Sequence, residues 1–462
     1  MSPPRIFVGT AETAGFVHAY ADGLTRAGAE ATAGLKVIVE HFGDFTYDLD
    51  LGADLDDAHW PTVMERARDP RLRARPRVGA RAGATERVAW VIARHDVFLF
   101  VYNSLRGDAR GDRPLARGMG RDFRDLKRLG KTVIACFVGP DARHPVPYDA
   151  ERRALGHDFV PLVSLSPSWR SDPLTRALRN VRRAERYADV ILSQPNQSSL
   201  ALRPYHHLDA PFDLSAVRGR VPGREVPVVV HAPSHQGIKG SREILAALER
   251  LRAAGVRFEL RLLTGVPHAA VCEALRDADV VVDQLHLPMH GRLGVEAMAA
   301  GCALATADAR DLEPVPAERP VWAITPGGLD ASLRRLLTDR ALRVALAREG
   351  MAYARRRHDH VAVARRILAL AAPDTRPPPE HTPTFYARTF ALPDGVRLPP
   401  ALLRASAEVA ARWGLPEGVT LADLAARGLA AGRLCYRRGG IAPTWATGTK
   451  VVQSGRTRAS SA

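Results

Sequence analysis

Lys239 closes a polar loop between a strand-like run, Val228-Val229-Val230-His231, and a helical pattern that begins at Ser241. Backbone amides at such a helix start can hold an anion, and a lysine beside them adds a mobile positive charge that suits a diphosphate. A lysine in an ordinary solvated βα turn has the same local sequence. The second stretch, Val281 to Gly301, places Gly291 and Gly294 where a ligand can approach the backbone, then starts a helix whose amino end faces negative charge. Glu296, expected in the first turn of that helix, is positioned to accept hydrogen bonds from the two hydroxyls of a ribose, although a first-turn glutamate also simply complements the helix dipole. The occurrence of both stretches in one α/β array points to a nucleotide site. Its further candidates are Ser234, Gln236, Gly240, His290, Arg292 and Leu293.

The opening strand leads into a second candidate loop, Gly9-Thr10-Ala11-Glu12-Thr13-Ala14-Gly15-Phe16, with a helix directly after it. Glycines at both ends make it an anion-facing loop without the full G-x-G-x-x-G fingerprint. Gly15 and, in the first turn of the following helix, His18 are its candidate site residues. Asp141 and Arg143 follow a strand and are candidate acceptor contacts. His95 precedes a strand and is expected to be packed rather than functional.

These residues need elements to hold them. Short β-rich runs alternate with amphipathic stretches: strands at Arg5–Gly9, Leu35–Glu40, Asp96–Tyr102, Thr132–Val138 and Asp189–Ser193, helices at Gly15–Arg26, Met119–Leu129 and Pro173–Tyr187, the last opened by Ser171-Asp172-Pro173. Periodicity lapses through Gln194–Glu225 and then restarts, with strands at Val226–His231, Arg257–Leu263, Asp279–Asp283 and Ala303–Ala307 between helices. Two such arrays imply an α/β fold of two Rossmann-like domains, residues 1–205 and 206–372, with ligands at strand C-terminal ends and in the cleft between. The proline cluster from Pro373 to Pro379 reads as a stiff linker. Beyond it, residues 373–462 are expected to be a separable appendage with helices at Ala401–Trp413 and Leu421–Cys435 and a loose tail.

The net charge of +16 suits a polyanionic partner, but almost all of it is arginine, and no interleaved aromatics or motif support nucleic-acid binding. Arg66, Arg68, Arg71, Arg73, Arg75, Arg77 and Arg81 crowd one loop-like part of the first domain, which suggests an anionic or lipid-linked acceptor and peripheral contact with the inner membrane surface. Cys136, Cys272, Cys302 and Cys435 form no short C-x-x-C pair, no signal peptide opens the chain, and a cytoplasmic location is expected.

At the Lys239 loop and the Gly291-to-Gly301 segment the sequence resembles retaining GT-B glycosyltransferases of family 4, which share a Lys-Gly loop and a Gly-x-x-x-x-Glu-Ala-Met-Ala-x-Gly segment. The resemblance covers roughly Pro4 to Leu370, with specific motifs in the second half only. It implies the GT-B fold, a nucleotide-sugar donor in the second domain and an acceptor held by the first; no acidic Asp-x-Asp pair stands where a metal-bridged donor would need one, so no metal or cofactor is expected. Lys239 would contact the diphosphate and Glu296 the ribose; Pro211-Phe212-Asp213 resembles the interdomain segment. Pro288 stands where the family has a glutamate for the donor sugar, and Ser234 where it has an arginine. A non-catalytic homologue that binds a nucleotide-sugar or joins a glycosylation complex is therefore the alternative expectation.

Overall fold

The β-branched run Val228–Val230 and its partner Val280–Val282 are buried on both faces, which is the signature of parallel strands covered by helices on each side. The computed structural model describes residues 3–38, 45–52, 58–79, 81–106, 119–165, 173–194, 197, 199–215, 217–308, 310–312 and 319–432. The first sheet comprises β1 (Arg5–Glu12), β2 (Glu30–Ile38), β3 (Leu49–Asp50), β4 (Val97–Val101), β5 (Thr132–Phe137), β6 (Val190–Ser193) and β7 (His206–His207). Its order is β3-β2-β1-β4-β5-β6-β7, all pairs parallel. The second comprises β8 (Val228–His231), β9 (Glu259–Leu262), β10 (Val280–Val282), β11 (Ala303–Thr306) and β12 (Trp322–Ala323), in the parallel order β12-β11-β10-β8-β9. The two Rossmann-like units expected from the alternation are present.

Strand order reverses about β1 in the first sheet and about β8 in the second, so a crevice opens beyond the carboxyl ends of β1 and β4 and of β8 and β10. Side chains alternate as the pleat requires: Ile6 and Val8 pack with the Phe16–Arg26 helix, whereas Phe7 packs on the opposite face with Phe98 and Phe100. His95 joins that second face as expected of a packed histidine. Its Nδ1 lies 2.9 Å from the Val91 carbonyl and its Nε2 2.8 Å from Thr32 Oγ1, and burial pushes its pKa down to about 4.

The chain crosses between the sheets twice. Phe212 accepts from the His360 amide at 3.0 Å and donates to the His358 carbonyl at 2.9 Å. The His360–Ala371 helix then packs on the Phe16–Arg26 helix, so Val363, Ala364 and Ile367 belong to the core under the first sheet. Strand β7 likewise pairs with β6 of the first sheet.

The segment after the prolines is no detached appendage. Tyr386, Phe390, Leu402, Val409, Leu424 and Leu429 join Leu178 and Val181 in one core on the first sheet. Arg182, 1% exposed, donates to Ser406 Oγ at 2.8 Å, pairs with Glu185 and lies 4.6 Å from the Tyr386 ring centre. Trp413 donates to the Glu185 carbonyl at 3.2 Å and stacks under Arg203. Helices span Pro400–Trp413 and Leu421–Ala426; Cys435, the tail after it and the Ser171-Asp172 start lie outside the described residues. Among the described residues no helix is long and apolar enough to cross a membrane.

The seven arginines from Arg66 to Arg81 are spread along helices and turns beside the Ala84–Arg94 helix. Arg73 pairs with Asp96 at 2.8 Å, at the amino end of β4 and so away from the cleft, and Arg75 pairs with Glu86 at 3.3 Å. A single basic loop gathered at the acceptor side is not what they form.

Truncation before Thr382 would leave Arg182 buried without Ser406 and uncover the apolar face around Leu178. Such a truncation should yield aggregated protein or protein lacking a cooperative melt, and Phe390→Ala in the full chain should cost about 3–5 kcal/mol of stability. Chemical denaturation of purified variants measures both; a soluble, cooperatively melting truncation contradicts this packing.

Candidate functional site

The loop after β8 folds into one short turn, Gln236–Lys239, capped at its start by His235 Nδ1, which accepts from the Ile238 amide at 3.2 Å. Gly240 ends the turn with φ 72°, and a Cβ there would lie 2.8 Å from Leu285 Cβ. Glycine thus lets the Lys239 loop lie directly on the loop after β10, where the Leu285 amide donates to the Lys239 carbonyl at 3.1 Å. Ser234 and Gln236 are exposed in this loop.

Asp283, the first residue after β10, is fully buried and joins the two loops. One carboxylate oxygen accepts from Lys239 Nζ, and the other accepts from the Gly291 amide at 3.1 Å. A buried carboxylate requires such partners. Lys239 is 12% exposed at its side chain, and the start of the Arg292–Ala300 helix sits beside it, with Gly291 as the capping residue. Counting from Gly291 puts Glu296 in the second turn, not the first, and no acid occupies the first turn. Glu296 therefore does not serve the helix dipole as its first-turn placement suggested.

Glu296 is 8% exposed. Its Oε1 accepts from Arg292 Nε at 2.8 Å and lies 2.8 Å from His268 Nε2. Burial pushes its carboxyl pKa up, but the hydrogen bond from His268 and the Arg292 charge outweigh that and hold it below the usual range. The bonds to Cys272 and Glu296 raise His268 to about 9. Leu293 and Gly294 complete the first turn; a Cβ on Gly294 would lie 2.8 Å from His290 Cβ.

Arg292 reaches across to the first domain. Its Nη1 donates to the Ala14 carbonyl at 2.6 Å, and the guanidinium carbon lies 5.3 Å from the Phe212 ring centre. Gly15, at φ 80°, allows this approach, since a Cβ there would sit 3.0 Å from Arg292 Nη1. His290 turns toward His358, with Nε2 atoms 3.1 Å apart, and burial drives its pKa well down. These residues, with Tyr353 and Arg319, enclose a pocket of about 70 Å³, below the roughly 300–1,000 Å³ of ordinary small-molecule sites.

On the first-domain side, Glu12 fills the place an anion would take. Its carboxylate accepts from the His18 amide at 3.2 Å and from Tyr47 Oη at 3.0 Å, and burial raises its pKa. The Phe16–Arg26 helix start is thus already capped by a protein carboxylate, which the loop pattern did not reveal. His18 stacks on Phe45 with ring centres 4.8 Å apart, and its Nδ1 is 3.4 Å from the Thr46 carbonyl. Asp141 does not face the cleft: it is fully buried and accepts from the Gly139 amide at 2.7 Å and the Val138 amide at 3.2 Å, and burial pushes its pKa up to about 7. Arg143 lies inward beside Tyr148, Tyr102 and Asp141, where burial lowers its pKa.

Lys239, His290, Gly291, Arg292, Gly294, Glu296 and, from the other domain, Gly15 therefore come together; Ser234, Gln236 and Asp141 stand apart. Asp283, His268 and Arg319 went unassigned in the sequence. Asp283 alone carried a usable signal, an acid directly after a strand at the switch point.

Two parallel Rossmann-like domains enclosing a polar cleft define a GT-B-type α/β protein. Residues 236–369, within the second domain, match the family model described as glycosyl transferase-like. No curated protein matches the chain. Among solved structures it is similar to Anabaena HepE in complex with UDP and glucose, at 14% identity and TM-score 0.45, over 79% of this chain and 98% of that one. It is also similar to sucrose-phosphate synthase from Thermosynechococcus elongatus, at 13% identity and TM-score 0.47, over 80% and 98% respectively.

Arg292→Ala removes the hydrogen bond to Ala14 and the contact with Phe212 together. Amides of Phe16 to Tyr20 should then exchange hydrogen roughly ten-fold faster or more, while the second domain's β8 and β10 remain protected. Site-resolved hydrogen exchange reads this; unchanged exchange in the Phe16–Arg26 helix would show that Arg292 does not hold the domains together.

Proposed function

We propose that the protein transfers a glycosyl group from a nucleotide-sugar to an acceptor, with retention at the anomeric carbon. The observation that carries this reading is the convergence of Lys239 and Glu296 on the amino end of the Arg292–Ala300 helix, at the switch point of the second sheet and across from Gly15. Lys239 and the helix start would take the diphosphate, and Glu296 the ribose hydroxyls. In the transfer, the bond from the anomeric carbon to the diphosphate breaks, an acceptor oxygen bonds to the same face, and the acceptor proton leaves with the diphosphate or through His18. Negative charge developing on the diphosphate would be met by Lys239 and the backbone amides, so this reading assigns no step to a metal. Because Arg292 holds both Glu296 and the Ala14 carbonyl, donor binding at Glu296 would accompany separation of Arg292 from Ala14.

A second reading has support of its own. Pro288 supplies no carboxylate for the sugar, and Asp283 already neutralises Lys239 and occupies the Gly291 amide. A subunit that holds a nucleotide-sugar without transferring it would tolerate the first, whereas the second opposes diphosphate binding in either reading.

Calorimetry with UDP, GDP and their sugars tests the site. Lys239→Ala should weaken nucleoside diphosphate binding by roughly ten- to a hundred-fold, the loss of one charge-assisted hydrogen bond. Glu296→Gln should weaken the nucleoside diphosphate and all its sugars alike. If both folded variants bind as the parent does, the donor site lies elsewhere. Release of free sugar or product from the bound donor separates the transferase from the binding subunit.

A further inference from the structure

We propose that His268, Cys272 and Glu296 form a binding site for a thiophilic divalent cation, with Zn²⁺ the ion their ligand types fit best. His268 opens the His268–Asp277 helix, and Cys272, four residues on, lies on the same face. That face meets the Arg292–Ala300 helix, which contributes Glu296. The donor atoms converge: His268 Nε2 is 3.4 Å from Cys272 Sγ and 2.8 Å from Glu296 Oε1, and all three lie within 4.8 Å of one another. Bonds of about 2.0–2.3 Å from a tetrahedral Zn²⁺ to N, O and S put such donors roughly 3.3–3.7 Å apart. The His–Cys pair already has that separation, and the His–Glu pair needs to open by about half an ångström.

The chemistry of the set is selective. An imidazole, a thiolate and one carboxylate favour Zn²⁺ over the hard cations Mg²⁺ and Ca²⁺, which take oxygen ligands. Three protein ligands leave a fourth position for water or a ligand oxygen. Ligation would release the Cys272 thiol proton and the His268 Nε2 proton to solvent. Glu296 sits at the buried end, and Cys272 and His268 are half-buried toward the surface, so an ion has a path inward. Arg292 Nε donates to the same Glu296 oxygen, so an ion there competes with the Arg292 contact to Ala14. It also engages the carboxylate assigned above to the ribose, so the ion would be an occupant that excludes nucleotide rather than a catalytic aid.

Cobalt tests the site without nucleotide, so its outcome stands apart from the donor reading. Full-length protein, stripped with chelator and titrated with Co²⁺, should develop a thiolate charge-transfer band saturating at one ion per chain, and Zn²⁺ should bleach it. Cys272→Ser should abolish the band, and His268→Ala should weaken Co²⁺ binding at least ten-fold. Cys435→Ser, which alters a cysteine outside the described residues, should leave the band intact. Absence of a thiolate band in the parent, or its survival in Cys272→Ser, overturns the proposal. Far-UV circular dichroism confirms that each variant is folded.

Discussion

The Asp283 carboxylate is the constraint around which the second domain's crevice is arranged. It is buried at the end of β10, and a charge there is tolerable only if paired and hydrogen-bonded. One of its oxygens takes Lys239 from the loop after β8, and the other takes the Gly291 amide at the start of the Arg292–Ala300 helix. Both partners are groups that would otherwise attract an anion. The same bonds fix the separation of the two loops, with Gly240 permitting the contact with Leu285. A polar cleft is thereby held in register with no net charge at its centre.

From that centre the structure reaches the first domain through Arg292 and also through Arg152, which donates to the His286 carbonyl at 3.0 Å. Arg292 begins the helix whose capping residue, Gly291, Asp283 holds, and its guanidinium reaches the Ala14 carbonyl while its Nε serves Glu296. The His360–Ala371 helix and the Phe212 crossing bind the two sheets elsewhere. The first domain in turn depends on the residues after the prolines, because Arg182 meets Ser406 and Tyr386 there and the Glu185 carbonyl meets Trp413.

The parallel arrays were legible because buried parallel strands leave long β-branched runs, and the Lys239 and Gly291 stretches were legible because glycines and a strand-to-helix transition coincide. What escaped was set by tertiary pairing. Arg182 reads as one more surface charge until Ser406 and Tyr386 cover it, so the last helices read as an appendage. Glu12 is one more loop acid until it caps its own helix. Asp141 lies after a strand, as an acceptor contact would, yet its short loop turns the carboxylate back onto the Gly139 amide. Glu296 reads one turn early because helix starts shift by a residue or two unless the capping residue is known.

In the proposed donor site a diphosphate takes the partners that Asp283 now holds, Lys239 and the Gly291 amide. Calorimetric titration of Asp283→Asn with nucleoside diphosphate tests that placement most directly. Loss of the carboxylate charge frees Lys239, and affinity should rise about ten-fold or more while folding stability falls, with the gain shrinking as salt is added. A folded Asp283→Asn protein that binds nucleoside diphosphate no more tightly than the parent would contradict it.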